Sequence, residues 1–130
     1  MVTDPVADLI TRASNAQKAG KAVLSMPHSQ LKESIAHILK KAGYFSSVDK
    51  KGTGIAQTLE IGLVYVDGDP RIHGVLRVSK PSRRLYQKSR DIKPFKQGYG
   101  NIVYSTPRGI LMDFEAKKLK VGGEILFKIW

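Results

Sequence analysis

The sequence predicts an α+β protein, in which an N-terminal α-β-α-β-β domain packs against a C-terminal, mostly antiparallel β domain with one short helix. In the first half, segments with helical apolar spacing alternate with short strand-like segments. The second half instead consists of short apolar stretches separated by glycine- and proline-rich turns. The turn-forming run Asp67 to Pro70 lies between the two halves, so we expect domains over residues 1–68 and 69–130.

A helix opens the first half. Asp4 can cap its first turn, and Pro5 suits the first helical position because its nitrogen carries no proton that would be left unpaired. Apolar residues recur at helical spacing up to Ala13, and Gly20 ends the segment. A short strand over residues 21–26 is expected to follow.

A second helix begins after Ser29, which can cap it, and ends at Gly43. Its predicted buried face consists of Leu31, Ile35, Ile38, Leu39 and Ala42. Two strands over residues 44–48 and 58–66 are separated by a turn-rich segment and predict a hairpin with a long loop.

The second half predicts five short strands and one short helix. The strands are expected at residues 72–79, 84–88, 101–106, 110–112 and 124–130. Asp113 can cap a helix over residues 114–119, and Gly122 and Gly123 are expected to end it.

Charge is the strongest compositional signal. The chain holds 22 Lys and Arg against 11 Asp and Glu, which gives a formal net charge of +11. Such a surplus attracts polyanions, of which nucleic acid is the commonest and an anionic membrane surface the rival. No stretch approaches the roughly 20 apolar residues of a spanning helix, and the N-terminal residues lack the pattern of a secretory signal. We therefore expect nucleic acid and not a membrane as the partner.

Enzyme chemistry is poorly supported. The chain has no Cys, which excludes disulfides and thiolate metal sites and favours a cytoplasmic location. His28, His37 and His73 are scattered without metal-ligand spacing, and no acid–base pair or phosphate-binding glycine loop occurs. We expect no catalytic residues, no metal, no cofactor and no small-molecule substrate.

The most basic region covers residues 80–96, where seven basic side chains accompany one acid, Asp91. Tyr86 lies among these charges. Lys and Arg neutralise phosphates, and an aromatic ring can stack on a base. The alternative is an ordinary solvated face, but the density of charge favours RNA contact.

Two further segments carry groups that can contact RNA. The run Ser105 to Gly109 offers two hydroxyls, the charge of Arg108 and a glycine that permits close backbone approach. From the residues alone an ordinary turn is an equal alternative. After Gly123, the Glu124 carboxylate can accept from a base amino group or orient a neighbouring cation, although a solvated glutamate is the default reading.

Four separated motifs, in matching order and spacing, resemble those of the bacterial ribosomal small-subunit protein eight family. They are Asp4 to Arg12 with Asn15-Ala16; Ser79-Lys80-Pro81 with Arg84 to Tyr86 and Lys88; Ser105-Thr106, Gly109-Ile110 and Asp113 with Glu115-Ala116 and Lys118; and Val121 to Leu126 with Trp130. The resemblance covers nearly the whole chain.

This resemblance implies a two-domain α+β protein that binds the central domain of small-subunit rRNA early in assembly and helps to assemble the subunit platform. It also implies other small-subunit ribosomal proteins as partners and a location in the ribosome. The expected RNA contacts are Ser105, Thr106, Pro107, Arg108, Gly109, Gly123 and Glu124, supported by Tyr86, Ser79, Lys80, Pro81, Arg84 and Lys88.

Two departures from the family pattern affect these expectations. Pro107 stands where the family usually has Ser, which removes one hydroxyl and one backbone donor. Arg108 could supply a charged contact instead, which is a hypothesis. Ser82 replaces a usual Gly, which predicts that this position does not need a positive φ.

Three alternatives remain beside a structural rRNA-binding protein. A translational repressor would bind the messenger RNA of its own operon through the same face. The absence of a metal-binding cluster and of an acid–base pair argues against an RNA-processing enzyme, which a nuclease assay with and without magnesium would distinguish. A basic protein-interaction module would bind all RNAs alike and lose them uniformly with salt.

Overall fold

The computed structural model describes residues 4–96 and 99–130 of the chain. Contacts divide the chain into two compact units, the first ending at Ile72 and the second beginning at His73. Three α-helices and antiparallel sheets occur among the described residues, which confirms the predicted α+β class.

The first unit contains two helices and a three-stranded sheet. Helices α1 and α2 cover Pro5–Lys18 and Gln30–Lys41, and strands β1, β2 and β3 cover Val23–Pro27, Phe45–Lys51 and Thr58–Leu63. The sheet is antiparallel with the order β1-β3-β2. A two-stranded ribbon of β4 (Tyr65–Val66) and β5 (Asp69–Pro70) follows. The α-β-α-β-β order of the first five elements is the predicted one.

Both long helices begin at the residues predicted to cap them. The Asp4 carboxylate accepts a hydrogen bond from the Ala7 backbone nitrogen (3.2 Å), and the Ser29 hydroxyl accepts one from Lys32 (3.1 Å). These bonds satisfy backbone donors that have no partner within the first helical turn.

The core of the first unit joins the inner helix faces to the sheet. Leu9, Ile35, Leu39, Leu59 and Ile61 are almost completely buried. At the edge of this core the Lys32 ammonium, which is also buried, lies 2.6 Å from the Asp8 carboxylate and thereby joins α2 to α1. Burial raises the pKa of the Asp8 carboxyl, but hydrogen bonds from Lys32 and Arg12 outweigh it, so that the pKa lies below its ordinary value.

The second unit is built around one antiparallel sheet. Its strands are β6 (Val75–Arg77), β7 (Tyr86–Gln87), β8 (Asn101–Thr106), β9 (Gly109–Met112) and β10 (Gly123–Ile129), and its helix α3 covers Asp113–Leu119. The order is β6-β10-β8-β9, and β7 also pairs with β10. Strand β10 therefore contacts three of the other strands and organises the unit.

The side chains of the central strands supply most of the second core. Val103, Tyr104, Met112, Phe127 and Ile129 are almost completely buried. Ala116 of α3 joins the part of this core that contains Tyr104 and Leu111. Near its start, at Gly123, Glu124 and Ile125, β10 is only half-buried.

Two local predictions for the second unit need correction. Met112, and not Asp113, is the residue that precedes the first turn of α3; the Glu115 carboxylate accepts from the Met112 backbone nitrogen (3.2 Å). Asp113 is instead buried, and its carboxylate accepts from Asn101 Nδ2 (3.2 Å). The helix ends at Leu119, as predicted, but Lys120 and not the two glycines ends it, because Lys120 adopts a left-handed conformation with φ 58°.

Several strands are shorter than predicted. The segment 72–79 forms a strand only over Val75–Arg77, and 84–88 only over Tyr86–Gln87. The segment 58–66 is divided between β3 and β4. Strand length depends on how many residues of the partner strand are available for pairing, which the local pattern does not contain.

Candidate nucleic-acid interface

Three of the predicted contact residues lie in one row across the sheet. In the strand register, Glu124 of β10 pairs with Tyr86 of β7 on one side and with Ser105 of β8 on the other. Directly paired residues of antiparallel strands project to the same face. An aromatic ring, a carboxylate and a hydroxyl from distant parts of the sequence are thus placed side by side.

The three groups differ in how they are held. The Tyr86 ring is 72% exposed, so its face is available to a partner. The Glu124 carboxylate accepts from the Arg84 guanidinium (3.0 Å), whose side chain is half exposed. Ser105 is half-buried, and its hydroxyl makes no hydrogen bond within residues 4–96 and 99–130. The row therefore presents a stacking surface, an oriented cation and a free hydroxyl.

Two glycines allow the strands of this row to lie so close together. A Cβ at Gly123 would overlap the Ser105 carbonyl oxygen, and a Cβ at Gly122 would overlap that of Gln87. Neither glycine has a positive φ, so both are required for space and not for backbone conformation. Gly123 thus contributes to the predicted site by allowing β10 and β8 to lie close together.

An open cleft of about 590 Å³ runs along the row. Its lining includes seven residues that the sequence predicted: Tyr86, Lys88, Ser105, Thr106, Pro107, Gly123 and Glu124. Gly122, which also lines the cleft, belongs to the Gly122-Gly123-Glu124 motif, from which only Gly123 and Glu124 were expected to contact RNA. Two lining residues, Gln87 and Ser89, were not predicted. Gln87 follows Tyr86 directly and carries an amide, which was the only available signal for it.

The turn between β8 and β9 borders the cleft. The Thr106 hydroxyl accepts from the Arg108 backbone nitrogen (3.1 Å) and donates to the Gly109 carbonyl oxygen (2.8 Å). Since the turn closes through these two bonds, it does not need the N–H that Pro107 lacks. Gly109 has φ 103°, a left-handed conformation that favours glycine, and a Cβ there would meet no atom within 4 Å. Glycine is therefore favoured at position 109 by the backbone conformation and not by lack of space. Arg108 lies exposed beside it.

The remaining predicted contacts lie on the segment that leads to β7. Ser79 is completely buried; its hydroxyl donates to the Leu85 carbonyl oxygen (3.1 Å) and accepts from the Leu85 nitrogen (2.9 Å). Lys80 and Arg83 exchange two backbone hydrogen bonds of 2.9 Å around Pro81. Ser79, Lys80 and Pro81 do not line the cleft.

The sequence prediction for Ser82 is confirmed. Within the described residues, positive φ values outside glycine occur only at Asp67, Lys96 and Lys120, so that Ser82 has an ordinary backbone conformation. The two-residue tip of this turn therefore tolerates a side chain at the position where a glycine is usual.

The basic side chains of the segment 80–96 are all exposed: Lys80, Arg83, Arg84, Lys88, Arg90, Lys93 and Lys96. Two hydrogen bonds hold this segment in place. The Tyr104 hydroxyl donates to Gln87 Oε1 (2.6 Å), and Gln87 Nε2 donates to the Asp91 carbonyl oxygen (2.9 Å). Burial, with a smaller effect of the Asp113 carboxylate, raises the pKa of Tyr104 to about 12. The phenol therefore remains a donor at neutral pH.

Among the described residues, no three His, Asp or Glu side chains are grouped closely enough to hold a metal ion. No helix within those residues is long and apolar enough to cross a membrane.

A sequence model of the ribosomal protein S8 family matches residues 4–130, which is nearly the whole chain. The chain belongs to the ribosomal protein S8 family. The resemblance inferred from the four sequence motifs is thereby confirmed.

Full-length relatives support the assignment to the ribosomal protein S8 family. The small ribosomal subunit protein uS8 of Persephonella marina is 46% identical over the whole of both chains. That of Nitratidesulfovibrio vulgaris is 45% identical over the whole of both chains, and that of Opitutus terrae is 44% identical over 99% of this chain and 100% of its own. Ribosomal protein S8 is a structural, non-enzymatic component of the ribosome, so the prediction that the chain is not an enzyme is confirmed, as is its location in cytoplasmic ribosomes.

Proposed function

We propose that this ribosomal protein S8 binds the central domain of small-subunit rRNA directly through the cleft of its second unit, and that it helps to assemble the platform of the subunit. The observation that carries the proposal is the row of Tyr86, Glu124 and Ser105 across three strands. Three groups able to contact RNA converge there from separate parts of the chain, beside the most basic segment of the sequence.

Affinity would come chiefly from the exposed basic side chains of the segment 80–96. Each phosphate that a Lys or Arg neutralises releases condensed counterions, which favours binding and makes it sensitive to salt. Such contacts fix the orientation of the protein without reading the RNA. The net charge of +11 supports this part of the proposal.

Recognition would come from the row itself. The exposed Tyr86 ring can stack on an unpaired base, and the Ser105 hydroxyl can bond a ribose 2′-hydroxyl or a base edge. The Glu124 carboxylate holds the Arg84 guanidinium at 3.0 Å and leaves its second oxygen for a base amino group. Ser79 would act indirectly, because it is buried and holds the Leu85 backbone behind this surface.

The relatives are named as small ribosomal subunit proteins, and we extend this assembly to the present chain. Neighbouring ribosomal proteins are therefore proposed partners.

The decisive experiment compares two RNAs across a salt titration. The purified protein is titrated with a central-domain small-subunit rRNA fragment and with an unrelated duplex of equal length. Duplex binding is expected to fall steeply with salt because it consists almost entirely of counterion release, whereas the rRNA fragment should remain bound at physiological salt. Equal loss of both RNAs would overturn the proposal in favour of a general basic module.

Matched serine variants locate the interface. Ser105→Ala removes a cleft hydroxyl and should weaken rRNA binding by up to about tenfold, the equivalent of one hydrogen bond. Ser82→Ala removes an exposed hydroxyl outside the cleft and should leave affinity unchanged.

Arg108→Ala tests the charged contact proposed beside Pro107, and an unchanged affinity would remove Arg108 from the interface.

The repressor function inferred from the family resemblance would use the same surface. A leader or intercistronic RNA that folds like the rRNA site should then compete with the rRNA fragment. It should also lose affinity in parallel in Ser105→Ala. Competition by that RNA without sensitivity to Ser105→Ala would place the messenger RNA on another surface.

A further inference from the structure

Strand β1 lies at one edge of the three-stranded sheet in the first unit. Just before it, the Leu63 nitrogen donates to the carbonyl oxygen of Ala22, the residue opposite Leu63 (2.9 Å). Hydrogen-bonded and non-hydrogen-bonded pairs alternate along antiparallel strands, so Leu24 also bonds β3, whereas Val23 and Ser25 do not. The N–H and C=O groups of Val23 and Ser25 are therefore directed away from β3, towards the open edge.

These outward groups are unpaired and lie on exposed residues. No hydrogen bond to the backbone of Val23 or Ser25 occurs within residues 4–96 and 99–130. Both residues are exposed, Val23 to 52%. Pro27, which has no N–H, ends the edge and keeps it short. An edge that presents unpaired backbone groups is a template for a further strand.

The opposite edge of the same sheet is protected in ways that β1 is not. The register of β2 shifts between Phe45 and Ser47, and exposed charged side chains follow at residues 49–51. Bulges and charges at an edge hinder pairing with another chain. The register of β1 is regular, and the strand carries no charged residue. Of the two edges, β1 is therefore the one suited to strand addition.

We propose that the edge of β1 binds an extended segment of a neighbouring small-subunit protein, which joins the sheet as a fourth strand and carries an acidic side chain. The inference rests on the proposed function only in placing the chain beside other proteins of the small subunit. It does not depend on the RNA cleft, because β1 belongs to the first unit and the cleft to the second.

The alternation of donors and acceptors along the edge favours a peptide over RNA. Val23 and Ser25 each present one N–H and one C=O group, and an extended peptide offers complementary groups at the same repeat. A ribose–phosphate backbone consists mainly of acceptors. It would satisfy the N–H groups but leave the carbonyl oxygens of Val23 and Ser25 without regular partners.

A groove of about 490 Å³ lies beside this edge. Asn15 and Ala16 of α1 line one side of it, and Val23, Leu24 and Ser25 of β1 line the other. Its volume is within the range of about 300–1,000 Å³ that is usual for ligand pockets. The groove can therefore hold side chains of a strand that pairs with β1.

The charge of the groove defines the chemistry of the segment. Arg12 and Lys21 line the groove, and none of its lining residues is acidic. The Asp8 carboxylate accepts from Arg12 Nε (2.8 Å), which leaves the terminal nitrogens of Arg12 for a partner. A carboxylate on the added strand would form charge-assisted hydrogen bonds with these cations. A second copy of the chain would instead bring its own Arg12 and Lys21 to the groove, and like charges repel.

Hydrogen exchange of the wild-type chain tests the edge without any substitution. In the free chain the Val23 and Ser25 amides should exchange faster than the Leu24 amide, which bonds β3. In small subunits reconstituted from rRNA and purified proteins, both outward amides should exchange at least about tenfold more slowly. Exchange at the same rate in the free chain and in the subunit would overturn the proposal.

A site-specific cross-link identifies the occupant. The chain has no Cys, so Val23→Cys provides a single attachment point for a photoreactive label. In the reconstituted subunit the label should attach to one segment of another small-subunit protein. Attachment to rRNA or to a second copy of the chain would contradict the proposed occupant.

Two substitutions at Ser25 test whether the backbone makes the contact. Ser25→Pro removes an outward N–H that bonds nothing in the sheet, which an edge strand tolerates, and it should abolish the cross-link from position 23. Ser25→Ala keeps the N–H and should retain the cross-link. An equally strong cross-link with Ser25→Pro would exclude strand addition. Thermal melting of the free variants checks that the fold is kept.

The rRNA fragment separates failure of this inference from failure of the proposed function. Ser25→Pro and Ser25→Ala should bind the central-domain fragment as the wild type does, because the cleft lies in the second unit. If the exchange and cross-linking results are negative but the wild type prefers the rRNA fragment, only the strand addition is wrong. If the wild type shows no preference for the fragment, the proposed function itself fails.

Discussion

The Ser79 hydroxyl joins two backbone groups at a buried point behind the cleft. It bonds both the nitrogen and the carbonyl oxygen of Leu85, immediately before the strand that carries Tyr86. Ser79→Ala leaves both groups unpaired and should lower the free energy of unfolding by about 1–3 kcal/mol, as measured by urea denaturation.

Ser82→Ala is the control for this substitution. Ser82 is exposed at the tip of the same turn, so its loss should change the free energy of unfolding by no more than about 0.5 kcal/mol. Equal effects of the two substitutions would show that the Ser79 hydrogen bonds contribute nothing specific.

Tyr104 is expected to make the free energy of unfolding depend on pH in the alkaline range. Burial raises its pKa to about 12 from an ordinary value of 10.0, so the folded chain holds this proton more tightly than the unfolded chain. The resulting contribution is fully present below pH 10 and should be lost between pH 10 and 12, amounting to about 2–3 kcal/mol. Denaturation midpoints measured across this range should fall for the wild type.

Tyr104→Phe separates this effect from the titration of lysines. The variant should be less stable at neutral pH, because Gln87 loses its donor, but its stability should fall less steeply between pH 10 and 12. Tyr99→Phe, at an exposed ring, should follow the wild-type curve. A Tyr104→Phe curve parallel to that of the wild type would exclude the buried phenol as the cause.

At the scale of elements, the start of β10 depends on the absence of a side chain at Gly123. Gly123→Ala should lower the free energy of unfolding by about 1–3 kcal/mol, because the added Cβ overlaps the backbone of β8, which cannot move aside. Thermal and urea denaturation measure this change, and the cleft should lose affinity for rRNA together with stability.

Gly109 provides the comparison, because its requirement is for φ and not for space. Asparagine tolerates the left-handed conformation, so Gly109→Asn should be milder than Gly109→Ala. At Gly123 asparagine should be at least as harmful as alanine. Equal tolerance of asparagine at the two positions would contradict the steric explanation.

The elements that the sequence predicted well depend on neighbours in the chain. Asp4 and Ser29 cap their helices through bonds to residues three positions ahead, which a local pattern contains. The row of the candidate site depends on the pairing of β10 with β7 and β8, whose residues lie about 20 to 40 positions away. Local sequence patterns therefore predicted Ser105 and Glu124 as contacts, but they did not predict the alignment of these residues with Tyr86 or the role of Gln87.

At the scale of the whole molecule, two variants can show whether rRNA binding depends on where the positive charges lie or only on the total charge. Lys88→Gln and Lys40→Gln each remove one exposed positive charge, the first beside the cleft and the second on α2. Lys88→Gln should reduce the slope of log K against log salt for rRNA binding by about 0.7–0.9, the value for one phosphate contact. Lys40→Gln should leave the slope unchanged.

Equal slopes for these two variants would mean that the total charge, and not the basic segment, determines rRNA affinity.

The sequence predicted this segment from composition alone, because seven basic residues within seventeen positions are visible without a structure. It did not predict the position of Asp113, which was expected to cap a helix and is instead buried next to Asn101.

The conformation of the turn from Thr106 to Gly109 is restricted by the residues of the turn itself. Pro107 restricts the backbone even in the unfolded chain, and the Thr106 hydroxyl then closes the turn from within. The β8–β9 turn thus loses less conformational entropy when it forms than a turn without these restraints would. If RNA binds this turn as proposed, less of the binding free energy is spent on ordering the loop.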